Sequence, residues 1–360
     1  MRRFVRVAVL LVLVAMGSHA LWAADEAPHV GAQTLKSPWV KPANDGASGK
    51  YNCPAFTPLP KDIVAYDFYT DAKHSIIDPA RYKAYSDAEH LYDVPTELAE
   101  KAGDLYQSSG KTSAAACVMQ VLKQLAASDA MTGTKSSNQA YYVQNWMLGG
   151  LAIAYLKARP AHVASAADDA LITAWMDKVG GQVEEYFGPR NTRGTNDGQN
   201  NHYYWAGFAA MAAAVAANDH KLFDWALTTY WFGVHQIQPD GTLPLEMARG
   251  QRALHYHLFG ITPLIMMAEL GEANGVPMYA ANNEALRRLA VRSVTGLLDN
   301  SYFAAKSGVK QDTPEGGKIR SDDIAWAVPY VKRFPNAGIS TIIRNTGVSP
   351  YKYIGGMPPD

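Results

Sequence analysis

Apolar residues recur at spacings of three and four through most of this 360-residue chain, in 94–108, 112–128, 138–158, 166–187, 204–217, 221–236, 251–274 and 284–299. From about Pro79 onward strand-like alternation is scarce, so there is little from which to build a sheet and the chain reads as all-α. Stop and start signals separate the segments, at Asn218-Asp219, at Pro239-Asp240-Gly241 and from Gly271 to Pro277. Successive helices joined by short turns imply antiparallel hairpins. The stretch Trp205 to Ala217 is apolar around much of its circumference, a pattern that belongs to helices buried on every side. Burial of that kind favours two concentric layers over a four-helix bundle. No fixed sequence period marks a regular repeat array. The expected architecture is therefore a single domain over 25–360, an incomplete α/α toroid (an α/α barrel) of helix hairpins.

The N-terminal region reads differently. Within residues 1–24, Arg2, Arg3 and Arg6 precede the apolar run Val7 to Met16, and the small residues Ser18, Ala20, Ala23 and Ala24 follow. That order is a secretory signal peptide, with cleavage after either Ala20 or Ala23. Its apolar core is too short to span a bilayer, and no later stretch reaches about 18 uninterrupted apolar residues. An exported protein, periplasmic or secreted and monomeric, is expected. Residues 25–62 are rich in Pro, Gly, Ser and Ala and read as an irregular N-terminal arm. The cysteines, Cys53 and Cys117, form an even pair that in an oxidising compartment reads as a disulfide pinning the arm to a helix; the other reading is two buried thiols. Lys plus Arg and Asp plus Glu both number 33, and removal of the leader leaves the mature chain slightly acidic. Nucleic acid is not an expected partner. A polyanionic partner would need a local basic cleft, because the global field offers no steering.

Two segments carry candidate chemistry. Gln199-Asn200-Asn201-His202-Tyr203-Tyr204-Trp205 runs from a glycine-bearing stretch into a helix. Asn is a good N-cap, and a helix start offers free N–H groups and partial positive charge to a carboxylate. The plainer reading is that Asn200 or Asn201 caps the helix while His202 and Trp205 pack inward. In the second segment, Glu246 to His257, Arg249 and Tyr256 are seven apart and would share one face of a continuous helix. Here the plainer reading is an amphipathic helix with Arg249 paired to Glu246 and Tyr256 in the core.

Taken together, Asn201-His202-Tyr203-Tyr204-Trp205, Leu222-Phe223-Asp224-Trp225-Ala226, and Arg249 with Gln251 through Ala253-Leu254-His255-Tyr256 resemble the mannuronate-specific alginate lyases of polysaccharide lyase family 5. The resemblance is strongest over 195–275, extends over 53–160, and is weak beyond 300. It implies cleavage of an acidic polysaccharide by β-elimination, with Asn201, His202, Arg249 and Tyr256 as catalytic residues and no cofactor. Such a lyase must neutralise the C5 carboxylate, remove the C5 proton and protonate the O4 leaving group. Asn201 and His202 would hold the carboxylate, stabilising the enolate. Tyr256 would be base and acid in turn, since in mannuronate the C5 hydrogen and the C4 oxygen lie on the same side of the ring. Bringing a phenol from about 10 to about 7 needs roughly 4 kcal/mol. A guanidinium at about 4 Å contributes roughly that at an effective dielectric of 20, so Arg249 is the right kind of partner. Activity would then rise towards neutral or mildly alkaline pH, with a second, lower limb if His202 must be neutral.

The same resemblance assigns substrate contacts to Gln139, Tyr142, Trp146 and Trp205. It also makes residues 63–80 a lid loop in which Tyr66 to Pro79 resembles the family's mobile segment and Tyr69 approaches the reacting sugar. Arg344 or Lys352 would contact product. Two positions depart from the family pattern: Phe68 stands where Arg or Lys is expected, leaving Lys73 or His74 to supply that contact, and Phe259 stands where Tyr is common. These changes bring broader substrates, polyglucuronate or hyaluronan-like, alongside mannuronan. No metal is expected, because His255 and His257 are two apart and no His-x-x-x-His or clustered carboxylate motif appears. A glycoside hydrolase on the same fold would need a carboxyl pair from Asp197, Asp240 and Glu246, which nothing in the sequence orders into a pair. A non-catalytic polysaccharide binder would not need Arg249 and Tyr256 together.

Overall fold

The structure is a computed structural model and describes residues 27–42, 49–312 and 318–359. The leader expected at 1–24 lies outside the described residues. Among those described there is no β-strand, only three isolated bridges, and no helix is long and apolar enough to cross a membrane.

Helices α1 (Pro79–Ser109) and α2 (Thr112–Ala127), α3 (Asn138–Ala158) and α4 (Ala166–Thr192), and α5 (Asn201–Ala217) and α6 (His220–Gln236) form successive hairpins. After a single turn, α7 (Pro244–Met247), the helices α8 (Ala253–Ala273) and α9 (Ala281–Leu298) form a fourth hairpin. One member of each pair packs inward: α1 against α3, α3 against α5, and α5 against α8. Their partners α2, α4, α6 and α9 pack side by side in the same order outside them. This is the two-layered α/α toroid, left open between α8 and α1. Four shorter helices follow, α10 (Ser301–Ser307), α11 (Ser321–Ile324), α12 (Ala327–Arg333) and α13 (Ala337–Thr346).

The local chemistry explains the boundaries. Asp78 accepts from the backbone N–H groups of Ala80 and Arg81, and Pro79 opens α1, which begins well before the apolar period becomes regular. Gly110, at φ 71°, closes that helix in the left-handed conformation glycine adopts without strain. Helix α5 has fifteen of its residues buried, because it touches α3, α4, α6 and α8 at once. A Cβ at Gly207 would lie 1.7 Å from Thr229 Oγ1, so glycine lets α5 and α6 approach.

The described residues of the N-terminal arm, 27–42 and 49–62, run over this scaffold without helix or strand, joined by a Cys53–Cys117 disulfide to α2. The segment that follows it, 63–78, is tied to the α2–α3 connection, where Ile63 N–H donates to Thr134 O at 2.9 Å, and reaches α8 through the Tyr69 hydroxyl. The C-terminal turn Lys352–Ile354 comes back against α3. It gets close because a Cβ at Gly150 would lie 2.1 Å from Lys352 O, a contact only glycine permits.

Candidate active site

A cavity of about 1140 Å³ occupies the open side of the toroid. Phe68, Tyr69 and His74 line it from the lid segment, Gln139, Tyr142 and Trp146 from α3, and His202 from the start of α5. Arg249, Arg252, Tyr256 and Phe259 line it from α8 and its approach, and Arg320, Tyr351, Lys352 and Tyr353 from the C-terminal region.

Glu246 to His257 is not one continuous helix. Gly250 takes φ 60°, a 3-10 turn covers Gly250–Arg252, and α8 begins only at Ala253. Arg249 therefore meets Tyr256 across a break in the helix and not along one helix face. Its guanidinium carbon lies 3.4 Å from the Tyr256 ring centroid. Its Nε donates to Lys73 O at 2.8 Å and its Nη2 to His74 O at 2.7 Å, while Gln251 Nε2 donates to Ser75 O at 3.1 Å. Lys73 and His74 thus meet Arg249 through backbone carbonyls; of their side chains, only that of His74 belongs to a residue lining the cavity.

The Tyr256 hydroxyl is hydrogen-bonded to the hydroxyl of Tyr69. Burial, and then the neighbouring Tyr256, hold Tyr69 well above the usual phenol range. Tyr69 consequently keeps its proton and can donate to Tyr256 whenever the latter has lost its own. Arg252, which the sequence reading passed over, stands 5.5 Å from the Tyr256 centroid and 5.9 Å from that of Tyr69. Two guanidinium groups therefore flank the tyrosine pair.

His202 stacks on Tyr142 with centroids 3.7 Å apart. Burial first, and then Arg249, depress its imidazole to about 3, so it is neutral at ordinary pH. Asn200, not Asn201, is the N-cap of α5, accepting from His202 N–H at 2.9 Å. Asn201 is fully buried behind the cavity wall. Its backbone N–H donates to Glu246 Oε1 at 2.7 Å, and its Nδ2 lies 2.9 Å from both Glu246 oxygens. Burial raises Glu246 against the opposing pull of Arg249, whose Nη1 is 4.0 Å away. Asn201 and Arg249 are thus tied together through one buried carboxylate, and Asn201 does not face the cavity.

Other candidates divide the same way. Gln139, Tyr142, Trp146 and Lys352 line the cavity. Trp205 does not: it is fully buried beneath it, 5.0 Å from the Phe259 ring. Arg344 sits on α13 away from the cavity and donates to Thr341 Oγ1 of its own helix. Phe68 packs on Tyr69 and Tyr85 at 4.5 and 4.8 Å, so an aromatic brace replaces the cation expected there. Of the three carboxylates weighed for hydrolysis, only Asp197 lines the cavity. Burial opposes its ionisation, but Thr195 and Arg190 outweigh that and hold it below the usual carboxylate range.

The cavity is not uniformly basic. Lys352 pairs with Asp93 at 2.5 Å, Arg320 with Asp323 at 2.9 Å and Arg190 with Asp197 at 2.9 Å. Arg249 and Arg252, beside the tyrosines, have looser carboxylate partners, Glu246 at 4.0 Å and Asp312 at 3.9 Å. Tyr353, stacked on Trp146 with centroids 5.0 Å apart, had no local signal in the sequence.

Residues 63–303 match the family model described as alginate lyase. A protein of Stenotrophomonas maltophilia named polysaccharide lyase is 35% identical over 314 residues, covering 86% of this chain and 90% of that one. An alginate lyase of Pseudomonas syringae pv. syringae is 34% identical over 266 residues, covering 72% and 68%. Among solved structures, alginate lyase A1-III from Sphingomonas species A1 shares the fold with a TM-score of 0.73 at 23% identity, over 87% of each chain.

Proposed function

As the chain belongs to the alginate lyase family and is a polysaccharide lyase, we propose that it cleaves the 4-O-glycosidic bond of poly-β-D-mannuronate by β-elimination, leaving 4,5-unsaturated uronate ends. The observation that carries this reading is the Tyr256 hydroxyl, met by the protonated Tyr69 and flanked by Arg249 and Arg252.

In this mechanism Tyr256 takes the C5 proton and returns a proton to O4, which one residue can do because both atoms lie on one side of a mannuronate ring. Tyr69 holds the phenolate by donating to it. The C5 carboxylate lies between neutral His202 and the guanidinium pair, whose fixed charge favours the enolate more than the ground state. Arg249 shapes the base and fastens the lid segment. Asn201 acts from behind, through Glu246. Gln139, Tyr142 and Trp146 form the wall for neighbouring sugars, with Tyr353 extending it.

Phe68 in place of a cation supports a second reading, a broader polyuronate lyase that also accepts polyglucuronate or hyaluronan-like chains. The leader sequence supports export to the periplasm, and the monomer remains the expected form.

The test is a panel of polymannuronate, polyguluronate, polyglucuronate and hyaluronan, followed by near-ultraviolet absorbance of the conjugated product. Fastest turnover on polymannuronate is expected. Comparable rates on polyglucuronate would establish the broader reading, and reducing ends without absorbance would replace elimination by hydrolysis.

A further inference from the structure

On the outer layer, α9 and the loop before α7 enclose a second cavity of about 540 Å³, which shares no lining residue with the first. That volume lies within the range of about 300–1,000 Å³ common for small-molecule sites. Three arginines line it: Arg287, Arg288 and Arg292.

Its carboxylates are already engaged. Glu284 pairs with Arg287 at 3.0 Å. Asp240 is bound by Lys306, by Tyr302 Oη at 2.5 Å and by Thr242 Oγ1 at 2.7 Å. Arg288 and Arg292 have no carboxylate within ion-pair distance among the described residues. Arg292 donates through Nε to Asp240 O at 2.8 Å and lies 3.6 Å from the Tyr302 ring centroid. Arg288 donates to the carbonyls of Asn282 and Asn283, and its Nε is buried with no partner.

The backbone around them is unusual as well. Asn282, Asn283 and Glu284 all take positive φ, between 48° and 55°, a run that non-glycine residues rarely adopt. Its carbonyls are what orient Arg288. Strained backbone of this kind is typically retained where it positions a binding group.

We propose that this cavity is a second uronate-binding site, which holds a carboxylate of the polymeric substrate between Arg288 and Arg292 and keeps the chain near the cleft. Planar guanidinium forks match carboxylates. The rest of the lining is mixed: Asn283 and Thr295 can hydrogen-bond sugar hydroxyls, while Pro239, Val291 and the arginine stems offer apolar surface to the ring face. A polymer held at two points binds more tightly than either contact allows, with no new contact at the cleft. The inference rests on the uronan reading above.

The test titrates tetramannuronate into the full chain carrying Tyr256→Phe, by calorimetry at low ionic strength. Two molecules per chain are expected, falling to one when Arg288→Gln and Arg292→Gln are added. Arg287→Glu reverses a solvent-exposed charge of the lining, at the cost of its surface pair with Glu284, and should weaken the second binding event at least tenfold with circular dichroism and melting temperature unchanged, which separates the result from misfolding. One molecule per chain throughout, or a second event that survives all three changes, overturns the site. Inorganic phosphate binding there more tightly than the tetrasaccharide overturns its assignment to a uronan. Elimination is read separately with the unaltered chain: turnover with a single bound tetrasaccharide removes only the second site, and no turnover on any uronan removes the reading beneath it.

Discussion

Arg249 sits over the face of Tyr256, its guanidinium carbon 3.4 Å from the ring centroid, while the Tyr256 hydroxyl meets that of Tyr69. A cation over an aromatic face is worth about 0.5 to 2 kcal/mol depending on desolvation. Because the same guanidinium donates to Lys73 O and His74 O, the contact with the proposed base also fastens the 63–78 segment. A change in either should be felt by the other.

Tyr256→Phe removes the proton-transferring atom and little else. The variant should fold and bind oligomannuronate normally while kcat falls by about 10³-fold, within the range attributed to general acid–base groups. Retained turnover in steady-state assays would rule out the tyrosine mechanism.

Tyr69→Phe deletes only the hydroxyl that meets Tyr256. A hydrogen bond to a charged group is worth about 1.5 to 3 kcal/mol, so kcat should drop by roughly 10- to 100-fold with a smaller change in KM. Equal losses in both parameters would mark Tyr69 as a binding residue instead.

Glu246→Gln keeps the shape of the buried side chain but not its ability to accept from Asn201 at three points. The new amide nitrogen would face Asn201 Nδ2, a donor against a donor in a buried site, at a cost of about 1 to 3 kcal/mol, so a lower melting temperature is expected together with a reduced kcat. A variant unchanged in both would show that the Asn201–Glu246–Arg249 connection has no role.

The His202 imidazole should stay neutral from pH 8 down to about pH 5, since it is depressed to about 3. The lower limb that the sequence placed in the pH profile therefore moves out of the working range, and any limb seen there belongs to another group. The unfolded chain protonates this histidine near 6.5, so its contribution destabilises the fold progressively as pH falls from about 6.5 towards 3. An NMR titration of the labelled ring checks this, and a midpoint near 6.5 would contradict it.

Cys53 and Cys117 are 64 residues apart. Closing a loop of that length is worth about 4 kcal/mol in the chain-entropy limit. Replacing both with serine should lower the denaturation midpoint clearly while kcat changes little, because the bridge ties arm to α2, far from the tyrosine pair. Equal midpoints for the two proteins would show that the arm is held by its other contacts alone.

Much of this molecule follows from local order in the chain. The three-and-four apolar period, the caps and the glycine stops are properties of neighbouring residues, and they suffice for the helix hairpins, the buried α5 and the toroid. The spacing of Asn201, His202, Arg249 and Tyr256 left the plainer readings open, and it was the resemblance carried by the segments around them that singled out this region. Tertiary structure decided what each residue does there. The Tyr69–Tyr256 contact joins positions 187 apart, and the Lys352–Asp93 pair joins positions 259 apart. The left-handed Gly250 breaks the helix face assumed for this segment, and Arg249 meets the Tyr256 ring across that break. Trp205 and Asn201 went behind the wall, because α5 is surrounded by four helices and, of its residues, only His202 lines the cavity, while Asn201 turns to Glu246. Period and propensity report which side of an element is buried; they carry no record of what that side meets, and at this site the chemistry is in the meeting.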